Sequence, residues 1–362
     1  MLENLNIKVM KQLTYLLIVL MGLATACESA APAAETEEGT TLASYFDNTG
    51  RDDVISGGVK LIPVTTPSGT FNVWTKRTGN NPTIKVLLLH GGPGGTHEEW
   101  LACDSYFPGE GVEYYYYDQL GSHYSDQPED STLWRTERFV EEVEQVRQAL
   151  GLTSDNFYLM GQSWGGILAM EYALKYQDNL KGLVISNMMA SCPDYGAYAM
   201  EVLGPQMEPS LFEEIKAFEE AEDFGNPRYM EILLNHHYTE HVIRMPVEEW
   251  PDPVNRLFAH INPDVYVPMQ GPSEFGIRGL LADWDVTDRL KEISVPTLVI
   301  GAAHDTMDPA HMEWMASEVQ NGRYLHCPNG SHLAQYDDPE HYFPGVIQYL
   351  RDVDSGTFAA VE

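Results

Sequence analysis

A serine, an aspartate and a histidine stand in an order that could turn a hydroxyl into a nucleophile. Ser163 lies in Gly161-Gln162-Ser163-Trp164-Gly165. The apolar run 157–160 precedes it, and Ile167, Leu168, Met170, Tyr172 and Ala173 follow at helical spacing. A serine at such a strand-to-helix junction occupies a strained turn with its hydroxyl pushed above the sheet, and flanking glycines leave room for that turn. The amides opening the helix point at the place where negative charge would develop. A serine hydroxyl is a weak nucleophile at neutral pH. It needs a base, and the base needs an acid to fix its tautomer and stabilise its charged form. Asp305 follows the apolar run 297–300, and His332 follows the strand pattern 323–326. Asp308 shares the loop of Asp305 and stands as the rival acid. The chemistry implied is attack on an acyl carbonyl.

That attack needs donors for the developing oxyanion. The continuous apolar run 84–89 reads as a central parallel strand and ends in His90-Gly91-Gly92-Pro93-Gly94-Gly95. A glycine-rich loop after a buried strand can turn backbone N–H groups inward, and the residue after the nucleophile, Trp164, supplies a second donor. A phosphate cradle is the competing reading, but the Lys-Ser/Thr of a P-loop and the spacing of a dinucleotide fingerprint are missing. His90 belongs to this loop and is expected to brace it. His237 and His241 are four apart and could share a helix face, yet no third metal ligand accompanies them, so they read as structural. No metal or cofactor is called for.

The elements that must position these groups follow a β-α-β-α order. The segments 59–64 and 70–74 form an opening hairpin around Pro67-Ser68-Gly69. Further strands fall at 112–117 and 180–186, and an amphipathic helix at 138–150 carries Phe139, Val140, Val143, Val146 and Leu150 on one face. The pattern is that of an α/β-hydrolase core, a mostly parallel doubly wound sheet. Between residues 188 and 285 helical periodicity and acidic residues replace the strand runs, which reads as an inserted helical cap. The core is assigned to 54–187 and 286–362.

The chain of 362 residues carries 21 Lys+Arg against 54 Asp+Glu, a net charge of −33, which argues against a nucleic-acid partner. Residues 1–26 have the form of a signal peptide. Lys8 and Lys11 precede an apolar stretch from Leu13 to Leu23, too short for a membrane span, and Leu23-Ala24-Thr25-Ala26-Cys27 follows. This looks like a bacterial lipoprotein signal with Cys27 as the lipidated residue, and a plain secretory signal cut after Ala26 is the alternative. Residues 27–53 read as a flexible tether. The expectation is an exported lipoprotein of the bacterial cell envelope whose only membrane contact is that anchor. Cys103, Cys192 and Cys327 fit small buried thiols better than a disulfide framework.

Several motifs together resemble the proline iminopeptidases and their close relatives, including amino-acid amidases, within the α/β-hydrolases. They are His90-Gly91-Gly92-Pro93-Gly94, Asp118-Gln119-x-Gly121-Ser122, Gly161 to Gly166, Gln270-Gly271-Pro272-Ser273-Glu274-Phe275 and Gly330-Ser331-His332. The likeness covers about residues 55 to 350 of the chain. It implies release of a small N-terminal residue, often proline, from short peptides or amino-acid amides, with Gly92 and Trp164 giving the oxyanion amides. It also implies that Glu274 binds the substrate's free amine from the cap. Glu240 is taken as a second amine ligand from its place in the cap, against the reading of an exposed helix charge. The chain departs from the family at Leu120, His123 and Tyr124. A carboxylesterase or lactonase on the same core is the nearest rival, and a turnover-less binding fold is disfavoured by the complete triad. Dehalogenase and epoxide-hydrolase chemistry needs a carboxylate where Ser163 stands.

Overall fold

A computed structural model describes residues 41–360. The signal segment, Cys27 and the tether up to residue 40 lie outside the described residues. The chain divides into two units after Tyr45, the first contributing the helical turn Leu42–Tyr45. All that follows concerns the second unit.

Eight strands form one sheet in the order β1-β2-β4-β3-β5-β6-β7-β8. They are β1 (Val59–Thr66), β2 (Gly69–Thr78), β3 (Lys85–Leu89), β4 (Glu113–Asp118), β5 (Phe157–Gln162), β6 (Gly182–Ser186), β7 (Thr297–Ala302) and β8 (Gly322–Cys327). β2 pairs antiparallel with β1 and with β4, and every other pairing is parallel. The α/β-hydrolase fold class is therefore what the molecule adopts. β5 pairs with β3 on one side while β4 lies on the other, so the winding direction reverses at β3 and opens a crevice at the carboxyl ends of β3 and β5. Both the glycine loop and Ser163 emerge there.

Helices cover both faces. On one lie α1 (Thr136–Leu150), α2 (Trp164–Tyr176) and, reached later in the chain, Pro309–Glu318. On the other lie the 3₁₀ segment His97–Ser105 and the closing helix Pro339–Asp354. α1 is built as its pattern requires: Phe139, Val140, Val143 and Val146 are buried, and Gly151 ends it in the left-handed region at φ 67°, its N–H donating to the carbonyls of Arg147 and Gln148. The tyrosine run of β4 is buried on both sides, Tyr115 and Tyr117 in one apolar cluster and Tyr114 and Tyr116 in the other. Cys103, Cys192 and Cys327 are buried free thiols.

A helical insertion separates β6 from β7. Its neck is a bridge between Ser191 and Asp285, flanked by hydrogen bonds from Cys192 N to Trp284 O and from Val286 N to Ala190 O. It contains α3 (Cys192–Tyr198), α4 (Pro209–Ala221), α5 (Pro227–Leu233), a π-helical stretch Leu234–Val242, α6 (Asp252–His260) and α7 (Pro263–Met269). Ile215, Tyr229, Ile232, Tyr238, Val254 and Phe275 give it an apolar cluster that also takes in Leu333 from the loop after β8.

The expected tether runs too far. Asp53 is buried and pairs in a two-pronged fashion with Arg77 on β2, at 2.6 and 2.8 Å. Arg77 also reaches Asn48 Oδ1 at 2.8 Å, and Arg51 pairs with buried Glu113 at 2.7 Å. Residues 48–53 are thus pinned to the sheet. The low-hydrophobicity composition that suggested a linker overlooked long-range ion pairs.

Candidate active site

Ser163 holds φ at 54° between β5 and α2, a left-handed conformation rare for a residue with a side chain. The flanking glycines are sterically required. A Cβ on Gly161 would overlap the Gly165 carbonyl, and one on Gly165 would overlap the Leu89 carbonyl. The turn is tied to the neighbouring strand by a hydrogen bond from Ser163 N to Ser186 O at 3.1 Å.

His332 Nδ1 lies 2.9 Å from Asp305 Oδ1, and both residues are almost fully buried. Asp305 Oδ2 accepts from Asn187 Nδ2 at 2.7 Å, and Oδ1 also accepts from Met307 N at 3.1 Å. Burial disfavours the charged imidazolium, but the charge and hydrogen bond of Asp305 outweigh it and raise the His332 pKa above its ordinary value. With Nδ1 engaged by the carboxylate, Nε2 is left for the serine. Ser163 and His332 line one cavity, although no hydrogen bond joins their side chains among the described residues. Such bonds often tighten only when substrate binds. The rival acid does other work: Asp308 Oδ1 caps helix Pro309–Glu318 by accepting from Ala310 N at 2.9 Å.

The remaining core motifs brace one another. Gln162 donates to the His332 carbonyl at 2.5 Å and accepts from Ser186 Oγ at 2.6 Å. Trp164 Nε1 donates to Gln119 Oε1 at 2.8 Å, and Gln119 Nε2 donates to the His90 carbonyl at 3.2 Å. His90 Nε2 accepts from Gln119 N, which leaves Nδ1 to donate to Gly91 O at 2.9 Å. Burial pushes the His90 pKa down to about 4, so the ring is neutral, as a brace should be. Gly92, at φ 79°, lines the cavity beside Ser163.

The cavity is small, about 40 Å³, and apolar-walled on the insertion side by Val242, Leu257, Phe258 and Ile261. Two carboxyl groups also reach it. Glu274 is 9% exposed; its Oε1 accepts from Tyr266 Oη, while Oε2 is buried without a partner among the described residues. Its backbone is clamped by Tyr238 Oη, which accepts from Glu274 N at 2.9 Å, and by Tyr195 Oη, which donates to Glu274 O at 2.6 Å. The second carboxyl, Glu99, was not singled out from the sequence. In Glu98-Glu99 two adjacent acids resemble a solvated surface, and no sequence signal shows that a 3₁₀ segment buries both and brings Glu99 to the cavity.

Glu240, the other expected amine ligand, is not there. It is exposed on the π-helical stretch and borders a separate surface depression with Asn235, Thr239 and Arg244. His237 and His241 have ring centroids 5.1 Å apart; His237 is fully buried with neither ring nitrogen bonded, and His241 Nδ1 pairs with the His304 carbonyl. Among the described residues one other cluster, Glu98, His123 and His260, has ligand-like spacing. Its carboxylate is already taken by His260 at 2.7 Å and Arg256 at 3.2 Å, and its imidazoles stack nearly parallel, 18° apart. It reads as an ion-pair network at the seam between core and insertion. His123 and exposed Tyr124, where the chain departs from its motifs, sit at this seam and do not line the cavity.

A family model described as alpha/beta hydrolase fold matches residues 85–217. With the sheet order and the elbow, this defines the molecule as an α/β-hydrolase of the serine type. A proline iminopeptidase of Flavobacterium johnsoniae is 60% identical over 294 residues, covering 81% of this chain and 98% of that one. Another from Elizabethkingia meningoseptica is 57% identical over 300 residues, covering 82% and 100%. The solved proline iminopeptidase of Mycobacterium smegmatis superposes with a TM-score of 0.74 at 28% identity, over 82% of this chain and 99% of that one. The chain belongs to the proline iminopeptidase family.

Proposed function

We propose that the enzyme is a serine aminopeptidase that releases an N-terminal proline, or another small residue, from short peptides or amides. Ser163 Oγ attacks the carbonyl of the first residue while His332 Nε2 takes its proton. Asp305 holds the ring and stabilises the imidazolium. The oxyanion is received by the N–H groups of Gly92 and Trp164. Collapse of the tetrahedral species breaks the amide bond, and His332 returns the proton to the leaving amine. Water, activated by the same histidine, then frees the acyl group from Ser163.

The observation that carries this reading is Glu274 Oε2, buried without a partner among the described residues on the cavity shared by Ser163 and His332. A buried carboxylate is costly unless a cation pairs with it, and the substrate's protonated amine is that cation. Fixing the amine there sets the scissile bond one residue away, and the apolar walls suit a small ring. The names of the relatives supply proline as the preferred residue. Hydrolysis of proline, alanine and phenylalanine anilides, their N-acetyl forms and a short acyl ester tests it. Turnover of the free-amine anilides, lost on acetylation, is the expected result. Equal or better turnover of the acetylated anilides or the ester would replace it with the esterase or lactonase reading.

We also propose that the enzyme is exported and held to the cell envelope by lipid on Cys27, on the strength of the basic start, short apolar stretch and Leu23 to Cys27 sequence. Mass spectrometry of the mature N-terminus tests this. A chain beginning at Cys27 without lipid, or one retaining residues 1–26, would refute it.

A further inference from the structure

Glu98 and Glu99 follow the glycine loop on the 3₁₀ segment His97–Ser105 and turn opposite ways. Glu98 grips the insertion through His260 and Arg256. Glu99 is 3% exposed and turns beneath the loop into the cavity of Ser163, His332 and Glu274. Among the described residues its carboxyl makes one hydrogen bond, Gly91 N donating to Oε2 at 2.6 Å, and has no basic partner within ion-pair distance. Oε1 is left towards the reaction centre: a Cβ built on Gly91 would lie 3.0 Å from Oε1 and 3.0 Å from Ser163 Cβ. One small cavity thus holds two buried carboxyl groups, one from the core and one from the insertion, neither within ion-pair distance of a basic side chain among the described residues.

We propose that Glu99 is the second carboxylate of the substrate-amine site, closing from the core on the ammonium or iminium group that Glu274 meets from the insertion. This rests on the aminopeptidase reading above and assigns to Glu99 the place expected of Glu240. Two carboxyl groups buried on one cavity cannot both be charged cheaply without a cation beside them. Burial pushes the Glu99 carboxyl up to about 8; the Gly91 N–H and His332 pull it down and Glu274 adds to the rise. Tyr336 and Tyr342, the other titratable groups coupled to it, stay protonated. The empty enzyme therefore holds a proton on Glu99 at neutral pH. A cationic amine expels that proton to solvent as the ion pair forms, and a neutral amine instead takes it directly from Oε1. Substrate binding is coupled to one proton.

The test uses Glu99→Gln, whose amide oxygen still accepts from Gly91 N while the charge is lost. Free-amine proline anilide and a short acyl ester are compared in the wild type and the variant. The expected result is about a 10-fold or greater fall in kcat/KM for the anilide, carried by KM, with the ester unchanged. A second readout needs no change at Glu99. Calorimetry of proline amide binding to Ser163→Ala, in two buffers of different ionisation enthalpy about one unit below the ordinary α-amine pKa of about 8, is expected to show about one proton released. An anilide rate unchanged in Glu99→Gln, equal losses on anilide and ester (a brace for the loop only), or binding without proton release would overturn the proposal. A wild type indifferent to N-acetylation would instead remove the aminopeptidase reading, and this proposal with it.

Discussion

Ser163, Asp305 and His332 each follow a parallel strand, β5, β7 and β8, and their backbone N–H groups donate to the carbonyls of Ser186, Ala302 and His241. Glu274 is held differently, in an irregular loop of the insertion, by tyrosines from α3, the π-helical stretch and α7. The first region spends main-chain geometry on positioning. The second spends side-chain hydroxyls, which can be repacked without rebuilding the fold. Chemistry is therefore tied to the sheet edge, and the part of substrate choice that Glu274 carries to the layer above it. The two meet where His332 N donates to the His241 carbonyl and Leu333 N to that of Val242, so the catalytic loop leans on the insertion.

The sharpest way to break this division is at the sheet edge. Ser163→Ala and Asp305→Asn are each expected to cut kcat by about 10⁴-fold or more on anilides and esters alike, with the thermal midpoint little changed. Asp308→Ala, by contrast, removes a helix cap and should cost about 1 kcal/mol of stability while leaving kcat intact. A dead Asp308→Ala beside an active Asp305→Asn would reverse the assignment of the acid.

Backbone constraint predicts a second difference. Gly165→Ala drives a methyl into the Leu89 carbonyl and should abolish activity through a displaced or unfolded elbow, read by circular dichroism and turnover. On the insertion, Glu240→Gln should leave kcat/KM within about 2-fold, because an exposed charge contributes little. A large loss there would restore the expectation that the structure has set aside.

On β2, next to the edge strand, Arg77→Ala leaves Asp53 buried and unpaired and should destabilise the enzyme by about 3–5 kcal/mol in denaturant unfolding. A loss under about 1 kcal/mol would return residues 48–53 to the tether.

The smallest expected effect is in pH. His332 must be neutral to accept the serine proton, and its pKa is raised, so kcat/KM should fall as pH drops through that raised value. Asp305→Asn removes the charge responsible and should move the acid limb of the residual activity to lower pH. The contact also contributes stability that is fully present below the ordinary value of 6.5 and is lost as pH rises through the raised one.

The sequence was most readable where backbone sterics restrict residue type. The elbow glycines, the glycine loop and the apolar strands announced the core, because few residues fit those positions. Glu274 was reachable through its motif. Glu99 and Glu240 were not distinguishable in the same way: a 3₁₀ segment buries one acid and a π-helical stretch exposes the other, and neither departure from α spacing leaves a compositional trace. The N-terminal boundary was misjudged for a related reason, since the Asp53–Arg77 pair joins residues 24 apart in sequence.

Catalysis at the sheet edge is separable from the share of amine recognition that Glu274 carries on the insertion. The most direct measurement is the ratio of kcat/KM for free-amine proline anilide to that for a short acyl ester, in wild type and in Glu274→Gln. The substitution is expected to lower this ratio by about 10²-fold, with ester turnover retained, because the buried amine loses its charged partner. A ratio that stays constant while both rates fall would contradict it, and would place Glu274 among the groups that hold the catalytic site together.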